Sequence, residues 1–144
     1  MTPLREQIWA EIERRLGAID GVAEVEREPS AEPISFNALH LEDAGQRTID
    51  GSAGATWYQL AVTIRGYVEG GAGAEAHAAL NQLHADTVAA LMADEPPLGG
   101  LAETIDEGAM QVQVATAASE RRLMFLLDLE LTFATRRGNP AQPA

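Results

Sequence analysis

The sequence predicts an α+β fold: a mainly antiparallel mixed sheet of four to five strands with two helices packed on one face, in the order α-β-(β)-β-α-β-β. Three observations predict it. Two long segments, Trp57 to Val68 and Arg121 to Thr135, alternate apolar and polar residues with a period of two, the mark of half-buried strands. Leu4, Ile8, Ile12 and Leu16 recur at spacing four, the mark of an amphipathic helix. Between the strands, Leu80, Leu83, Val88 and Leu91 outline a second helix ahead of Pro96-Pro97-Leu98-Gly99-Gly100.

Taken in order, the first helix opens with Thr2 as N-cap and Pro3 at the first helical position, where a missing N–H is harmless. Gly17 and Gly21 mark its end. A short strand is expected over Val22 to Arg27, then a break at Pro29-Ser30. Alternation of Ile34, Phe36 and Ala38 marks another strand near Leu39. Residues 42–54, rich in Asp, Gly and Ser, read as a mobile loop. In the first long strand, Tyr58, Leu60, Val62, Ile64 and Val68 share one face, with Trp57, Gln59, Thr63, Arg65 and Tyr67 on the other. Met110, Val112 and Val114 alternate with Gln111 and Gln113 in a further strand. In the last strand, Leu123, Phe125, Leu127, Leu129, Leu131 and Phe133 lie opposite Asp128, Glu130 and Thr132. A strand this long and one-sided belongs inside a sheet. Residues 1–135 are thus expected to form one domain, and residues 136–144, with Gly138, Pro140 and Pro143, a loose tail.

Charge narrows the function classes. Ten basic residues, all Arg, stand against 22 acids, for a net charge of −12. A chain this acidic makes a poor nucleic-acid binder overall. Cysteine is absent, which removes disulfides and thiolate chemistry. No apolar run approaches the ~20 residues that span a bilayer, and the N-terminus lacks a signal-peptide core. The sequence therefore reads as a soluble intracellular protein with no membrane partner.

Motif by motif, catalysis finds little support. Gly71-x-Gly73-x-x-Ala76 has the spacing of a dinucleotide-binding turn. Glu69 and Glu75 flank it and would repel a phosphate, and no parallel strand follows the helix. It reads as a strand-to-helix turn. His77 and His84 are seven residues apart, about 10.5 Å along a helix, too far to share a metal ion. Asp128 and Glu130 point the same way from one strand. They read as a charged sheet face, paired with Arg65, rather than as a catalytic pair. No cofactor and no metal are expected, and the chain does not read as an enzyme.

The layout carries a resemblance. An N-terminal helix ends near Ile19-Asp20-Gly21-Val22, and an early strand leads into Pro33 to Leu41. A long central strand follows, then a helix closing on Leu91 to Gly100, and a final strand ending in Phe133-Ala134-Thr135. This pattern resembles the tail terminator proteins of long-tailed phages and of related prophage or gene-transfer particles. An aromatic residue is usual in that family where Ala134 stands. The resemblance implies a hexameric ring that caps the tail tube, ends its polymerisation and joins the head connector. The implied partners are copies of the chain, the tail tube protein and the connector or stopper protein, with DNA only passing through the channel. The implied location is the head-proximal end of the tail in the virion, after assembly in the host cytoplasm.

On that reading the functional residues are interface or lumen positions. The second sheet face and the two loops nominate Glu42, Asp43, Asp50, Trp57, Arg65, Glu69, Asp128 and Glu130. Another head-tail joining or tail-completion protein shares this size and layout. A different class, a small-ligand binding domain, would use a cup lined by Phe36, Trp57 and Tyr67. A hydrolase built on Asp128 and Glu130 is the remaining alternative.

Overall fold

A computed structural model describes residues 1–144. Helix α1 (Leu4–Gly17) precedes strands β1 (Glu24–Arg27), β2 (Ala38–Gly51) and β3 (Ala55–Tyr67). Helix α2 (Gly73–Leu91) and a short 3-10 turn (Pro97–Gly100) lead to β4 (Thr104–Ala117), β5 (Glu120–Arg136) and β6 (Asn139–Pro143). The strands form one six-stranded sheet ordered β1-β2-β3-β5-β4, with β6 pairing the far end of β5. Only the β1–β2 pairing is parallel. The α+β class and the mainly antiparallel mixed sheet are as the sequence indicates, with one strand more than the upper count.

Period-two alternation sorts the sheet into two faces. Leu60, Val62 and Ile64 of β3 stand directly opposite Leu131, Leu129 and Leu127 of β5, all buried. Ile8, Ile12 and Leu16 of α1, and Leu80, Leu83 and Leu91 of α2, close over this row. Burial of such side chains contributes roughly 1.5–3 kcal/mol each, which is what makes the layer stable. As expected, β5 runs inside the sheet, between β3 and β4.

Four boundaries depart from the sequence reading. Residues 42–54 are not a loop: most of them form the outer half of β2 and its hairpin to β3. The strand tolerates Gly45 and the Asp residues because its outer half is largely exposed, so neither face needs apolar side chains. The pairing shifts between Asp43 and Gln46, with Gly45 at φ +96°, as in a bulge. Residues 136–144 are not loose: Gly138, at φ +76°, turns the chain so that Thr135 pairs with Pro143 and Arg136 with Asn139. Prolines are tolerated in so short a strand because few of its N–H groups are needed for pairing. Finally, α1 begins at Leu4, with Pro3 as the flanking residue, and α2 ends at Leu91, short of the prolines.

The end of α2 is tied instead by charge. Arg15 of α1 forms a two-pronged pair with Asp94, 2.7 and 2.9 Å, and reaches Glu11 at 2.7 Å. Asp94 also accepts the Gly99 N–H at 2.7 Å, which locks the 3-10 turn to both helices. Hydrogen bonds from Arg14 and Arg15 hold the Glu11 carboxyl down at about 2. The Arg15 guanidinium, then the Gly99 N–H, hold Asp94 at about 2 as well. Both values are depressed from ordinary ones of 4.5 and 3.8. The stability they contribute is therefore full above pH of about 4.5 and is lost as pH falls through about 2. Arg14 is mostly exposed and its share is screened. Urea midpoints should drop between pH 5 and pH 2.5, and drop less in Arg15→Met, which has already lost the shared partner. An equal drop in both proteins would show that this cluster does not set the acid limb.

Candidate functional site

The face of the sheet away from the helices is the surface left for function. It is built by the other half of the alternation: His40 and Glu42 of β2, the odd-numbered residues of β3 from Trp57 to Tyr67, and the even-numbered residues of β5 from Met124 to Ala134. Register aligns them across strands: Glu42, Thr63 and Asp128 form one row, and His40, Arg65 and Leu126 the next. Ala61, Glu130 and Asp106 form a row on the other side. Gln111 and Gln113 extend the same face onto β4, as the sequence indicates.

One end of this face is covered. Tyr67, Met124, Ala38 and Ala117 make a small buried cluster, with Phe36 packed against it. The Phe36 and Tyr67 rings meet edge to face at 6.5 Å, and the Arg122 guanidinium lies 4.2 Å over the Phe36 ring. Burial pushes the Tyr67 phenol upward, helped by the negative charge of Glu32. Beneath the 28–37 segment, His40 is 2% exposed and its Nε2 lies 2.5 Å from Glu24 Oε2. Glu24 also accepts the Ile34 and Ser35 N–H groups at 3.3 and 3.4 Å. Burial pushes the Glu24 carboxyl upward, but His40 and these N–H donors outweigh it and leave it lowered. A shallow, mostly polar cavity of about 390 Å³ opens beside this dyad, lined by Ser30, Glu32, His40, Glu42, Arg65 and Tyr67.

The nominated residues divide between surfaces. Glu42, Arg65, Asp128 and Glu130 lie together on the open face. Arg65 Nε stands 2.8 Å from Glu42 Oε1, a charge contact without good hydrogen-bond alignment. The expected pairing of Arg65 with Asp128 and Glu130 does not form, because Glu42 on the neighbouring strand takes the guanidinium. Thr63 Oγ1 donates to Asp128 at 3.2 Å and Gln59 Nε2 donates to Glu130 at 2.9 Å instead. Glu130 also sits directly opposite Asp106, a like-charge pair across β4 and β5.

Asp43 turns the other way. It binds Arg5 of α1 at 2.5 and 2.7 Å and caps the Gly45 N–H at 2.8 Å, so it joins a helix to the bulge. Burial pushes its carboxyl up, yet the Arg5 contact leaves it lowered. Asp50 lies at the exposed tip of the β2–β3 hairpin, bonded to the Gly51 N–H. Trp57 stands at the far end of β3 and donates to Glu103 at 3.1 Å. Glu69 is exposed in the turn before α2, where its carbonyl accepts from Arg122. The imagined cup of Phe36, Trp57 and Tyr67 does not form: the Trp and Tyr stand ten positions apart, at opposite ends of β3.

Gly71 and Gly73 do sit in a turn, but for packing reasons. A side chain at Gly71 would put its Cβ 2.5 Å from the Arg121 carbonyl, and Gly73 has φ +91°. His77 and His84 lie on α2, and His84 meets the Phe125 ring edge-on at 5.5 Å. Nowhere do three His, Asp or Glu side chains group as metal ligands would. No helix is long and apolar enough to cross a membrane. The residues missed by sequence reasoning are Glu24, His40 and Asp106, whose significance comes from pairings across strands that no local pattern displays. No family model matches the chain, and no curated protein matches it.

Proposed function

We propose that this chain is a structural, ring-forming protein of the phage tail terminator type, acting through its surfaces. The observation that carries the reading is the division of the sheet. One face is sealed by two helices, while the other is an open, largely polar platform that leaves Glu42, Asp128, Glu130 and Asp106 against Arg65. A ring subunit needs such a platform for a neighbour or a channel. An acidic platform facing a lumen would keep passing DNA from sticking by charge repulsion. The partners of that role are further copies of the chain in a hexameric ring, the tail tube protein and the head connector, and its place is the virion tail. Other head-tail joining or completion proteins would use the same surfaces.

Electron microscopy of a tail-forming particle that lacks its own terminator tests this. Supplying the chain should restore tails of uniform length capped by a ring, and the quadruple variant Glu42→Gln, Asp106→Asn, Asp128→Asn, Glu130→Gln should cap but pass DNA poorly. Tails that stay overlong and uncapped would overturn the reading.

A further inference from the structure

A different surface, on β4, carries an inference that does not rest on the terminator reading. β4 ends the sheet and pairs with β5 alone over its fourteen residues. Edge strands are usually kept short or guarded by charges, proline or bulges, because their free N–H and C=O groups template pairing with another chain. Residues 108–119 contain no charged residue and no proline, and the strand's one bulge, between Glu107 and Met110, leaves residues 110–117 in unbroken register. On the helix side of this strand, Met110, Val112 and Val114 are 39%, 46% and 49% exposed. They stand opposite Leu127, Phe125 and Leu123 of β5, so they continue the core row past the edge of the helices. This is half of an interface: a neutral hydrogen-bonding edge with an apolar row beside it.

We propose that β4 pairs antiparallel with β4 of a second copy, about a twofold axis near Val112. Charge selects the occupant. A chain with net charge −12 repels its own copies except where its surface is neutral, and this edge is the long neutral one. The opposite free edge, the outer half of β2, carries Asp43, Arg47 and Asp50. Charge also selects the direction. Parallel pairing would set Asp106 and Glu107 against their own counterparts. Antiparallel pairing centred on Val112 sends them, past the bulge between Glu107 and Met110, toward the partner's β4–β5 turn, where Glu120 is already paired with Arg122 and the exposed Arg121 forms no ion pair within the chain. The same register places Met110 opposite Val114 of the other copy, and Gln111 opposite Gln113. A twofold strand pair is self-complementary, as an isologous contact must be. The result is one sheet running through two copies.

The chain has no cysteine, so a single introduced thiol reports the contact cleanly. Directly opposed residues in an antiparallel pair have Cα atoms about 4.5–5.5 Å apart, within disulfide range. Mild oxidation of Val112→Cys should give a covalent dimer at least tenfold faster than Ile49→Cys, a control on the other edge that is 41% exposed. In the unoxidised protein, light scattering should show wild-type dimers that Val112→Lys converts to monomers. Circular dichroism should be unchanged in that variant, because the site is half exposed. Equal cross-linking at both positions, wild-type monomers at every concentration, or an unchanged mass in Val112→Lys would each overturn the proposal. Tail-length rescue is scored separately, so either proposal can fail while the other stands.

Discussion

Gly66→Ala should destabilise the protein by about 3 kcal/mol, near the upper end for overpacking, although the change adds one methyl group. Gly66 lies in β3 directly across from Phe125 in β5. The Phe125 ring covers the glycine: a Cβ there would stand 2.1 Å from Cε2, 2.3 Å from Cζ and 2.8 Å from Cδ2. No real contact is that short, so the ring must move. Phe125 is fully buried and held edge-on by His84 at 5.5 Å, so it has nowhere to go. Truncating the ring, Phe125→Ala, should itself cost about 3–5 kcal/mol through lost burial and a cavity. The two changes occupy one space, which makes their effects non-additive. In the Phe125→Ala background the added methyl group meets a void and should be close to neutral. Urea denaturation of the four proteins of this cycle measures the coupling. Strict additivity, or a harmless Gly66→Ala in the wild type, would show that the ring yields easily.

That pair also marks the limit of what the sequence displays. The alternation of Leu60, Val62 and Ile64, and of Leu127, Leu129 and Leu131, is written in period two, and the sheet places both rows in the core. Gly66 within the same strand gives no local sign of an aromatic lid, because the partner is set by register with a segment about sixty residues away. Residues 43–51 fail for a different reason. Alternation shows only where one face is buried, and the outer half of β2 is largely exposed on both faces, so a paired strand there is spelled with loop residues. On the open face the polar positions are legible as a set, but their pairings are not. Glu42 and Asp128 stand in the same row, on the two strands flanking β3 and equally diagonal to Arg65, so even the register leaves both open and only the side-chain arrangement decides for Glu42.

Glu24→Ala should be the most damaging change outside the main core. Its carboxylate joins the buried His40 ring of β2 to the 28–37 segment that folds over the open face. His40 is the largest polar side chain in the buried set, and its Nε2 has Glu24 as partner at 2.5 Å. Removing the acceptor leaves the buried His40 ring nitrogen without its partner, a loss of about 3 kcal/mol. The Ile34 and Ser35 N–H groups lose their acceptor at the same time. Phe36 and its contact with Tyr67 hang on that segment, so the damage should spread locally before it spreads globally. Amide exchange of residues 30–37 should speed up more than exchange in β5. Glu24→Gln keeps an acceptor of the same shape and should recover most of the stability, which separates hydrogen bonding from charge. The folded carboxyl lies below its ordinary value of 4.5. Its stabilising share is therefore complete above about that pH and fades as pH falls through the lowered value, and Glu24→Gln should flatten this part of the profile. A Glu24→Ala protein with wild-type melting and uniform exchange would mean that the cover over His40 is held by Phe36 packing alone.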